Sequence, residues 1–388
     1  MATIARLPSF FFKSECFPSA AAAAASATYG GGLPLLRPFG AASHHCRLSL
    51  HYKQGSNVRL SIARVHAQAA VVGKDVVKVE TSTWVWKFGN TPIKIHCMEY
   101  KSDVEGRYQN LLLLPTISDV STTEEWHDVA TNLVARSGPK QWRALTVDWP
   151  GFGLSDRPSL DYTVDLMESF LADYFTTSGL GDPSDTPPVV VGGGHAATLA
   201  IRALNKRKIK AQALVAVAPT WAGPMPIVFG REPEMESRYG LLRNALRAPG
   251  VGWAMYNVLV SSPNNIRKQY VSHVYAEPEH VTDAIVESRL SLTRREGARF
   301  APAAFLTGVL DPVQSREEFL SLFANLDGKL PLLVVFSKDS PKRSKAEMEA
   351  LRGAKGVSKF IETRGALLPQ EEYPEEISDV IYDFLLTV

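Results

Sequence analysis

The stretch VVVGGGHAATLA, residues 189–200, is the clearest indication of fold in this chain. Its three valines predict a buried strand, its three glycines a very tight turn, and the alanine-rich remainder a helix. A strand that turns so sharply into a helix presents the residue at the turn at the carboxyl end of the sheet. When residues 197–200 are taken to fix the register of the helix, the residue at the turn is Gly194. Glycine has no side chain to react with a substrate.

Similar apolar runs recur along the chain, and a helical segment follows each of them. Short runs of Leu and Val without polar alternation fit strands that are buried on both faces of a parallel sheet. A hairpin around Gly89-Asn90 precedes them, and the alternation of strands and helices predicts an α/β fold. The predicted parallel strands are 111–114, 144–147, 189–191, 213–217 and 330–336, and the predicted helices include 126–135, 164–175, 196–208, 344–352 and 374–386.

The alternation stops between Trp221 and about Asn325, where helical segments dominate and no strand-like run appears. We therefore expect a helical cap over 221–325, inserted between two parts of one α/β core at 78–220 and 326–388. Ligands of such sheets bind at the carboxyl ends of the strands. The cap is expected to cover that end.

Residues 1–67 have a different composition, with seven basic residues, one acidic residue and many alanines and serines. Acid-poor, serine-rich segments that carry arginines are typical of organelle transit peptides. The length and the Ser/Ala content favour a disordered chloroplast transit peptide, with cleavage near Ala67 and a mature protein in the stroma or at the thylakoid. A disordered tail without a targeting role is the alternative.

Without this leader the chain has 35 basic and 39 acidic residues. Such a mildly acidic domain argues against a nucleic-acid partner. No apolar run reaches the roughly 20 residues that span a bilayer, so no transmembrane segment is expected. Cys97 is the only cysteine outside the leader, the histidines lack ligand spacing, and the glycine run lacks the spacing of nucleotide-binding loops. We therefore expect no metal and no cofactor.

The segment DWPGFGLSDRP, residues 148–158, resembles the D-x-P-G-x-G-x-S-D-x-P motif of α/β hydrolases of the haloalkane dehalogenase and epoxide hydrolase type. The resemblance extends over 78–388. The stretch 189–200 stands where this family has its nucleophile elbow, the helical insertion where it has its cap, and 371–376 just after the position of its catalytic histidine. The resemblance implies the α/β-hydrolase fold, although a fold alone does not fix an activity.

The resemblance also implies a catalytic triad, and each triad position lacks its functional group. The nucleophile position is Gly194, the histidine of G-H-x-P is replaced by Leu367, and the acid of G-x-x-D-P is replaced by Ser340. Asp339 stands one residue too early. Gly308–Pro312 also spells the acid motif, but it lies inside the predicted cap, and we interpret it as a turn at a helix end.

Two further family positions are changed. The strand 213–217, after which some members carry the acid, is followed by Thr220 and by no carboxylate. Pro115-Thr116 replaces the His-Gly of the oxyanion loop, and proline removes one backbone donor. The amides of Ile117 and His195, beside Thr116, form the predicted oxyanion-like pocket, which would bind a carbonyl oxygen or an anion.

His195 is the most interesting candidate for a non-standard reaction, because a one-residue shift of the elbow would make it the reactive residue. The alternative is that it packs and hydrogen-bonds locally after Gly194, and the match at 197–200 favours this. Asp119 and Asp339 are either pocket carboxylates or solvated loop residues. His127 is expected to pack in a helix, and Asp148 to bind loop amides beneath the pocket.

Two functions remain open at this point. In the first, a plastid protein has lost the Ser/Asp/His triad and uses its pocket and cap as a non-catalytic ligand-binding or scaffolding surface. Its partner would be a small apolar or carbonyl-containing ligand or a plastid protein. In the second, it is an active hydrolase on small plastid esters or lipids, with a non-standard arrangement of His195, Asp119 or Asp339.

Overall fold

The computed structural model describes residues 63–72, 75–103, 106–182 and 185–388. Nine strands form one sheet in the spatial order 1-2-3-5-4-6-7-8-9. The pairings from β1 through β3 to β5 are antiparallel, and all others are parallel. The strands are β1 (Ala63–Val72), β2 (Asp75–Phe88), β3 (Thr91–Ser102), β4 (Tyr108–Leu114), β5 (Gln141–Val147), β6 (Val189–Gly193), β7 (Ala213–Val217), β8 (Leu332–Ser337) and β9 (Lys359–Thr363).

Thirteen α-helices accompany this sheet in the described part of the chain. They are α1 (His127–Val134), α2 (Val164–Thr177), α3 (Gly194–Asn205), α4 (Pro224–Phe229), α5 (Pro233–Arg247), α6 (Val251–Leu259), α7 (Pro263–Gln269), α8 (Asp283–Thr293), α9 (Phe300–Leu306), α10 (Arg316–Ala324), α11 (Lys342–Glu349), α12 (Pro369–Glu372) and α13 (Pro374–Leu385). A π-helical turn, Tyr270–Val274, follows α7. None of the described helices is long and apolar enough to cross a membrane.

The central strands are buried on both faces, which confirms the prediction from their continuous apolar runs. Leu111 to Leu114 in β4 are all inaccessible to solvent. Leu112 and Leu114 pack in the core that contains α2 and α3. Leu111 and Leu113 point to the other face and pack with α1 and α13. The chain therefore has the predicted α/β architecture, with helices on both faces of a mostly parallel sheet.

The helical insertion is also present, since α4 to α10 all lie between β7 and β8. No strand interrupts 221–325, every residue of which the structure describes. The predicted hairpin is confirmed, with Phe88 of β2 opposite Thr91 of β3. The sequence gives no sign of β9, because this edge strand is half exposed and lacks a continuous apolar run.

The predicted leader overlaps the first strand. Residues 1–62 lie outside the described residues, but 63–67 belong to β1, where Ala63 pairs with Thr83 and Ala67 with Glu80. The expectation of disorder is therefore wrong for these five residues, because their backbone continues the antiparallel ladder with β2. A cleavage after Ala67 would leave the rest of β1 paired. The cleavage site itself and the domain boundaries remain predictions.

Candidate functional site

The candidate site lies where β6 turns into α3. β4 and β6 are parallel neighbours, with Leu114 opposite Gly192, so the loop after β4 and the turn after β6 meet at one edge of the sheet. The glycines make the turn possible, since a Cβ on Gly192 would lie 2.7 Å from the Cα of Ala197. A helix can begin this close to its strand only when that side chain is missing.

Gly194 occupies the nucleophile position of this turn. Its φ of +52° lies in the left-handed region, and a nucleophile elbow holds its reactive residue in such a strained turn. The geometry therefore favours Gly194 over His195, which is the next residue in α3. A Cβ built on Gly194 would lie 3.3 Å from Cγ2 of Thr116 and 3.4 Å from Oγ1 of Thr220. Two threonine side chains thus border the space into which a nucleophile would project.

The acid and base positions also offer no triad group. Ser340 follows β8, is buried, and donates its hydroxyl to the carbonyl oxygen of Ala366 at 3.0 Å. Leu367 donates its backbone N–H to Val274 at 3.0 Å and presents only an aliphatic side chain. Asp339 is exposed and accepts the N–H of Gly365 at 3.2 Å. Its carboxylate therefore holds a loop and makes no contact with His195 among the described residues.

The predicted oxyanion-like pocket is partly used by the protein itself. The N–H of Thr116 donates to Glu125 at 2.9 Å, and its hydroxyl donates to the other carboxylate oxygen at 2.8 Å. Burial raises the pKa of Glu125 to about 7. Of the predicted set, this leaves the amides of Ile117 and His195 as candidate donors for a ligand. His195 lies in the first turn of α3, where a backbone N–H has no partner within the helix.

His195 is buried and contacts polar groups through both ring nitrogens. Nδ1 lies 2.7 Å from Oγ1 of Thr220, and Nε2 lies 3.4 Å from Oδ1 of Asp311. The ring also packs edge-on against Phe305, with ring centroids 5.1 Å apart. A carboxylate can only accept, so in a neutral imidazole Nε2–H points to Asp311 and Nδ1 accepts the Thr220 hydroxyl proton. The three side chains thus form a continuous hydrogen-bonded chain.

Asp311 is a site residue that the sequence did not predict. Gly308–Pro312 does form a turn after α9, as predicted, and this turn also buries Asp311 against His195. Its carboxylate also accepts the N–H of Gly223 at 2.9 Å and forms an ion pair with Arg231. The G-x-x-D-P spelling was the available signal. The motif precedes β8 instead of following it, so its position in the chain does not match that of the family acid.

The other predicted residues have local roles. Asp148 accepts the N–H groups of Thr123 and Leu154, both at 2.7 Å, which confirms its expected role beneath the site. Its burial raises its pKa to about 7. Asp119 is half-buried, and burial raises its pKa although Gln269 donates a hydrogen bond to it. No contact joins Asp119 to His195 among the described residues.

His127 has a packing role, as predicted. Its Nδ1 lies 3.1 Å from the hydroxyl of Tyr100, and the two rings are in contact.

A second polar cluster joins the insertion to the core. Arg289 of α8 is buried, forms ion pairs with Glu124 and Glu371, and donates to the hydroxyl of Tyr270 at 2.8 Å. Burial raises the pKa of Glu371, although the guanidinium of Arg289 opposes this effect. The sequence resemblance located Glu371 next to the base position but gave no indication of this partner in the insertion.

A row of hydrogen bonds to backbone N–H groups, which we call the backbone seam, lies beside this cluster. The carbonyl oxygen of Val274 accepts the N–H groups of both Leu367 and Leu368, at 3.0 and 3.2 Å. The buried carboxylate of Glu372 accepts the N–H groups of Ala276 and Glu277, both at 2.8 Å. The loop that carries a catalytic histidine in hydrolases is therefore hydrogen-bonded to the helical insertion.

No three His, Cys, Asp or Glu side chains come together as metal ligands within the described ranges. An open groove of about 530 Å³ lies at the amino ends of β4 and β5, where Arg107 and Lys140 contribute to its lining. Ligands of α/β sheets bind at the carboxyl ends of the strands. This groove is therefore separate from the site around Gly194 and His195.

Comparisons with known proteins agree with this fold. Residues 111–380 match the model of the alpha/beta hydrolase family. Solved structures with 16–18% identity include an epoxide hydrolase from Vigna radiata and a thermophilic esterase from Thermogutta terrifontis, each with a TM-score of 0.56, covering 79% of this chain and 98% of theirs. A haloalkane dehalogenase from Agrobacterium tumefaciens C58 has 17% identity and a TM-score of 0.55, covering 80% of this chain and 97% of its own.

No curated protein matches the chain in sequence. At such low identities the solved structures support the fold alone. The family match covers more than half of the chain, and the nine-stranded sheet, the elbow at Gly194 and the helical insertion agree with it. The chain belongs to the α/β-hydrolase family.

Proposed function

We propose that this chain is a non-catalytic member of its family, which binds a small apolar or carbonyl-containing ligand or a protein partner. The observation that carries the proposal is Gly194 at the elbow, with Thr116 and Thr220 bordering the space of the missing nucleophile. Hydrolysis by the usual mechanism needs a nucleophile, a base and an orienting acid together. Ser340 and Leu367 supply neither of the other two.

The remaining polar groups suit binding better than the usual cleavage. The amides of Ile117 and His195 are donors of the kind that hold a carbonyl oxygen or an anion. Such donors stabilise charge only after a nucleophile has attacked, and Gly194 offers none. Bound carbonyl compounds would therefore leave this site unchanged.

The test is covalent labelling with a fluorophosphonate probe, together with hydrolysis of short-chain nitrophenyl esters. We expect no labelling and at most trace hydrolysis, because loss of triad members typically lowers turnover by ~10⁴ to 10⁶. An active serine hydrolase serves as the positive control. Efficient ester hydrolysis by the unaltered chain would contradict the proposal.

A second candidate function rests on the contacts of His195. Here Thr220 Oγ1 would attack an ester carbonyl while its proton passes to Nδ1 of His195, 2.7 Å away. The alcohol would leave with that proton, and water would then hydrolyse the acyl–threonine. Asp311 would orient the ring from the other side, as the acid of a triad does. Nucleophile and base lie at the separation that proton transfer requires.

Substitutions separate the two candidates. Under the second, Thr220→Val and His195→Ala would each abolish ester hydrolysis, whereas His280→Ala, a partly exposed histidine outside this contact chain, would leave it unchanged. Under the first, the unaltered protein and all three variants would show the same trace rate. A rate that falls only in the Thr220 and His195 variants would establish the hydrolase.

We also propose that the protein is imported into chloroplasts. The support is the composition of residues 1–67, with one acidic residue against seven basic ones. The test is import of the full chain into isolated chloroplasts, followed by N-terminal sequencing. A new N-terminus within a few residues of Gln68 is expected. A mature form that begins before residue 40, or no import at all, would contradict the proposal.

A further inference from the structure

The helices α5 and α6 carry the most exposed large apolar side chains in the described part of the chain. Leu241 of α5 is 69% exposed, and Val251, Trp253 and Val258 of α6 are 62–66% exposed. All other exposed large apolar residues are between 37% and 51%. A soluble surface rarely leaves such side chains together without a partner, so this patch indicates a binding surface.

The helix α6 is exposed around much of its circumference. Tyr256 is buried, whereas Val251, Ala254 and Val258 are exposed and stand three and four residues apart. This spacing puts them on one stripe of the helix. Tyr256 faces the core, because Asp119 and Arg157 are the charged groups that act on its hydroxyl. The stripe therefore faces away from the core, and Trp253, which stands three residues before Tyr256, is exposed beside the buried side of the helix.

The helices around this stripe carry more basic than acidic residues. Residues 233–276, which contain α5, α6 and α7, include five Arg and Lys and two acids, Glu234 and Glu236, both in the first turn of α5. Three of the cations make inward or local contacts, namely Arg243 with Thr307, Arg247 with Asp161, and Arg267 with Asp283. Arg238 and Lys268 are exposed. The nearest acids in the chain are Glu236, which pairs with Arg231, and Glu277.

We propose that the surface formed by α5 and α6, flanked by α7, docks on an anionic lipid membrane. Exposed Trp, Val and Leu beside Arg and Lys are the composition of helices that lie in the headgroup region, where the apolar side chains enter the acyl boundary and the cations attract anionic lipids. Tryptophan in particular prefers this interface. A bilayer surface also needs no matching shape.

Electrostatic repulsion argues against the two binding partners that the chain itself could supply, a second copy and the N-terminal segment. A second copy would bring the same surface, on which α5 to α7 carry five Arg or Lys against two Glu, against itself, which places a net excess of like charge together. The N-terminal segment 1–62 has six basic residues and one acidic residue, so it would also be repelled. An anionic lipid surface supplies both the negative charge and the apolar interior. The proposal does not depend on whether the site at Gly194 is catalytic.

The test is co-sedimentation of the protein, without residues 1–62 and in its full form, with vesicles. Vesicles of phosphatidylcholine alone are compared with vesicles that also contain phosphatidylglycerol. We expect binding to the anionic vesicles that weakens at high salt, because salt screens the attraction between exposed charges. Binding to neither kind of vesicle would overturn the proposal.

Paired variants assign the binding to this surface. Trp253→Ser with Val258→Ser should reduce vesicle partition by about tenfold or more, since full removal of large apolar groups from water corresponds to such factors. Arg238→Gln with Lys268→Gln should reduce it by about thirtyfold, at about 1 kcal/mol per cation near an anionic surface. The matched controls are Leu386→Ser, exposed at the C-terminus, and Lys342→Gln with Lys359→Gln.

Unfolding midpoints of all variants exclude a general loss of structure. Equal partition of the patch variants and the controls would overturn the proposal. So would a dimer of the unaltered protein in light scattering that becomes a monomer in the Trp253→Ser, Val258→Ser variant, because the occupant would then be a second copy.

Discussion

The substitution Gly194→Ser tests the role of the elbow most directly, because it introduces a hydroxyl at the nucleophile position. The φ of +52° at this residue disfavours any side chain, at a cost of about 1–2 kcal/mol. A smaller backbone entropy in the unfolded chain offsets about 0.4–1 kcal/mol of this. The new Cβ would also lie 3.3 Å from the Thr116 methyl group, closer than an ordinary contact between carbons. Such crowding costs about 1 kcal/mol.

We therefore expect Gly194→Ser to lower the free energy of unfolding by about 2 kcal/mol. The matched control is Gly353→Ser, where φ is +70° but no atom lies within 4 Å of the added Cβ. The control should lose only about 1 kcal/mol, since it keeps the backbone strain without the crowding. Urea unfolding of the three proteins measures both values. Equal losses in the two variants would show that Thr116 does not restrict this space.

The same variant should remain inactive towards fluorophosphonates and nitrophenyl esters. The new hydroxyl would find Thr220 beside it and no histidine at the position of Leu367. Restoration should require Leu367→His in addition, with Ser340→Asp as a further aid. Rapid labelling of the single variant would contradict this expectation, because it would mean that a base already serves the elbow.

Three further predictions follow from buried charges. The pKa of Glu125 and that of Asp148 are both raised to about 7, so the folded chain holds these protons to higher pH than the unfolded one. The free energy of unfolding should fall as pH rises from about 4 to about 7, by at most about 1.4 kcal/mol per pH unit for each group. Urea titrations in which it rises over this range would contradict both shifts. Asp148→Asn should remove the contribution of Asp148 to this pH dependence. It should also lower the free energy of unfolding at pH 5 by about 1–3 kcal/mol, because one of two backbone donors loses its acceptor. Arg289→Met should lower the free energy of unfolding by about 3–5 kcal/mol, because it leaves Glu371 buried without its cation; the exposed Arg352→Met, as a control, should change it by less than about 1 kcal/mol.

The sequence was sufficient for the features that depend on local pattern. Continuous apolar runs identified the strands from β4 to β8, and the glycine run located the turn at Gly194, because burial on both faces and a tight turn each restrict neighbouring residues. The edge strand β9 has no such restriction, since solvent reaches one side of it. Its existence follows only from the pairing with β8.

The contacts of the site could not be predicted in the same way. His195 and Asp311 are 116 residues apart in the chain, and their contact depends on how the insertion returns to the sheet. The sequence offers no reason to select Thr220, because a threonine hydroxyl becomes a candidate nucleophile only when a histidine lies beside it. The partners of Arg289 likewise come from three separate segments. Pattern alone does not determine which distant segments meet.

The backbone seam at Val274 and Glu372 makes local opening between the insertion and the core measurable by hydrogen exchange. The amide protons of Ala276, Glu277, Leu367 and Leu368 are all held across the junction of insertion and core. Exchange with deuterium requires that these bonds open, so the four protons should exchange at one common rate whenever the insertion lifts. A ligand that enters between the two parts and holds them together would slow all four at once. The segment that serves catalysis in active relatives would here record the occupancy of the site.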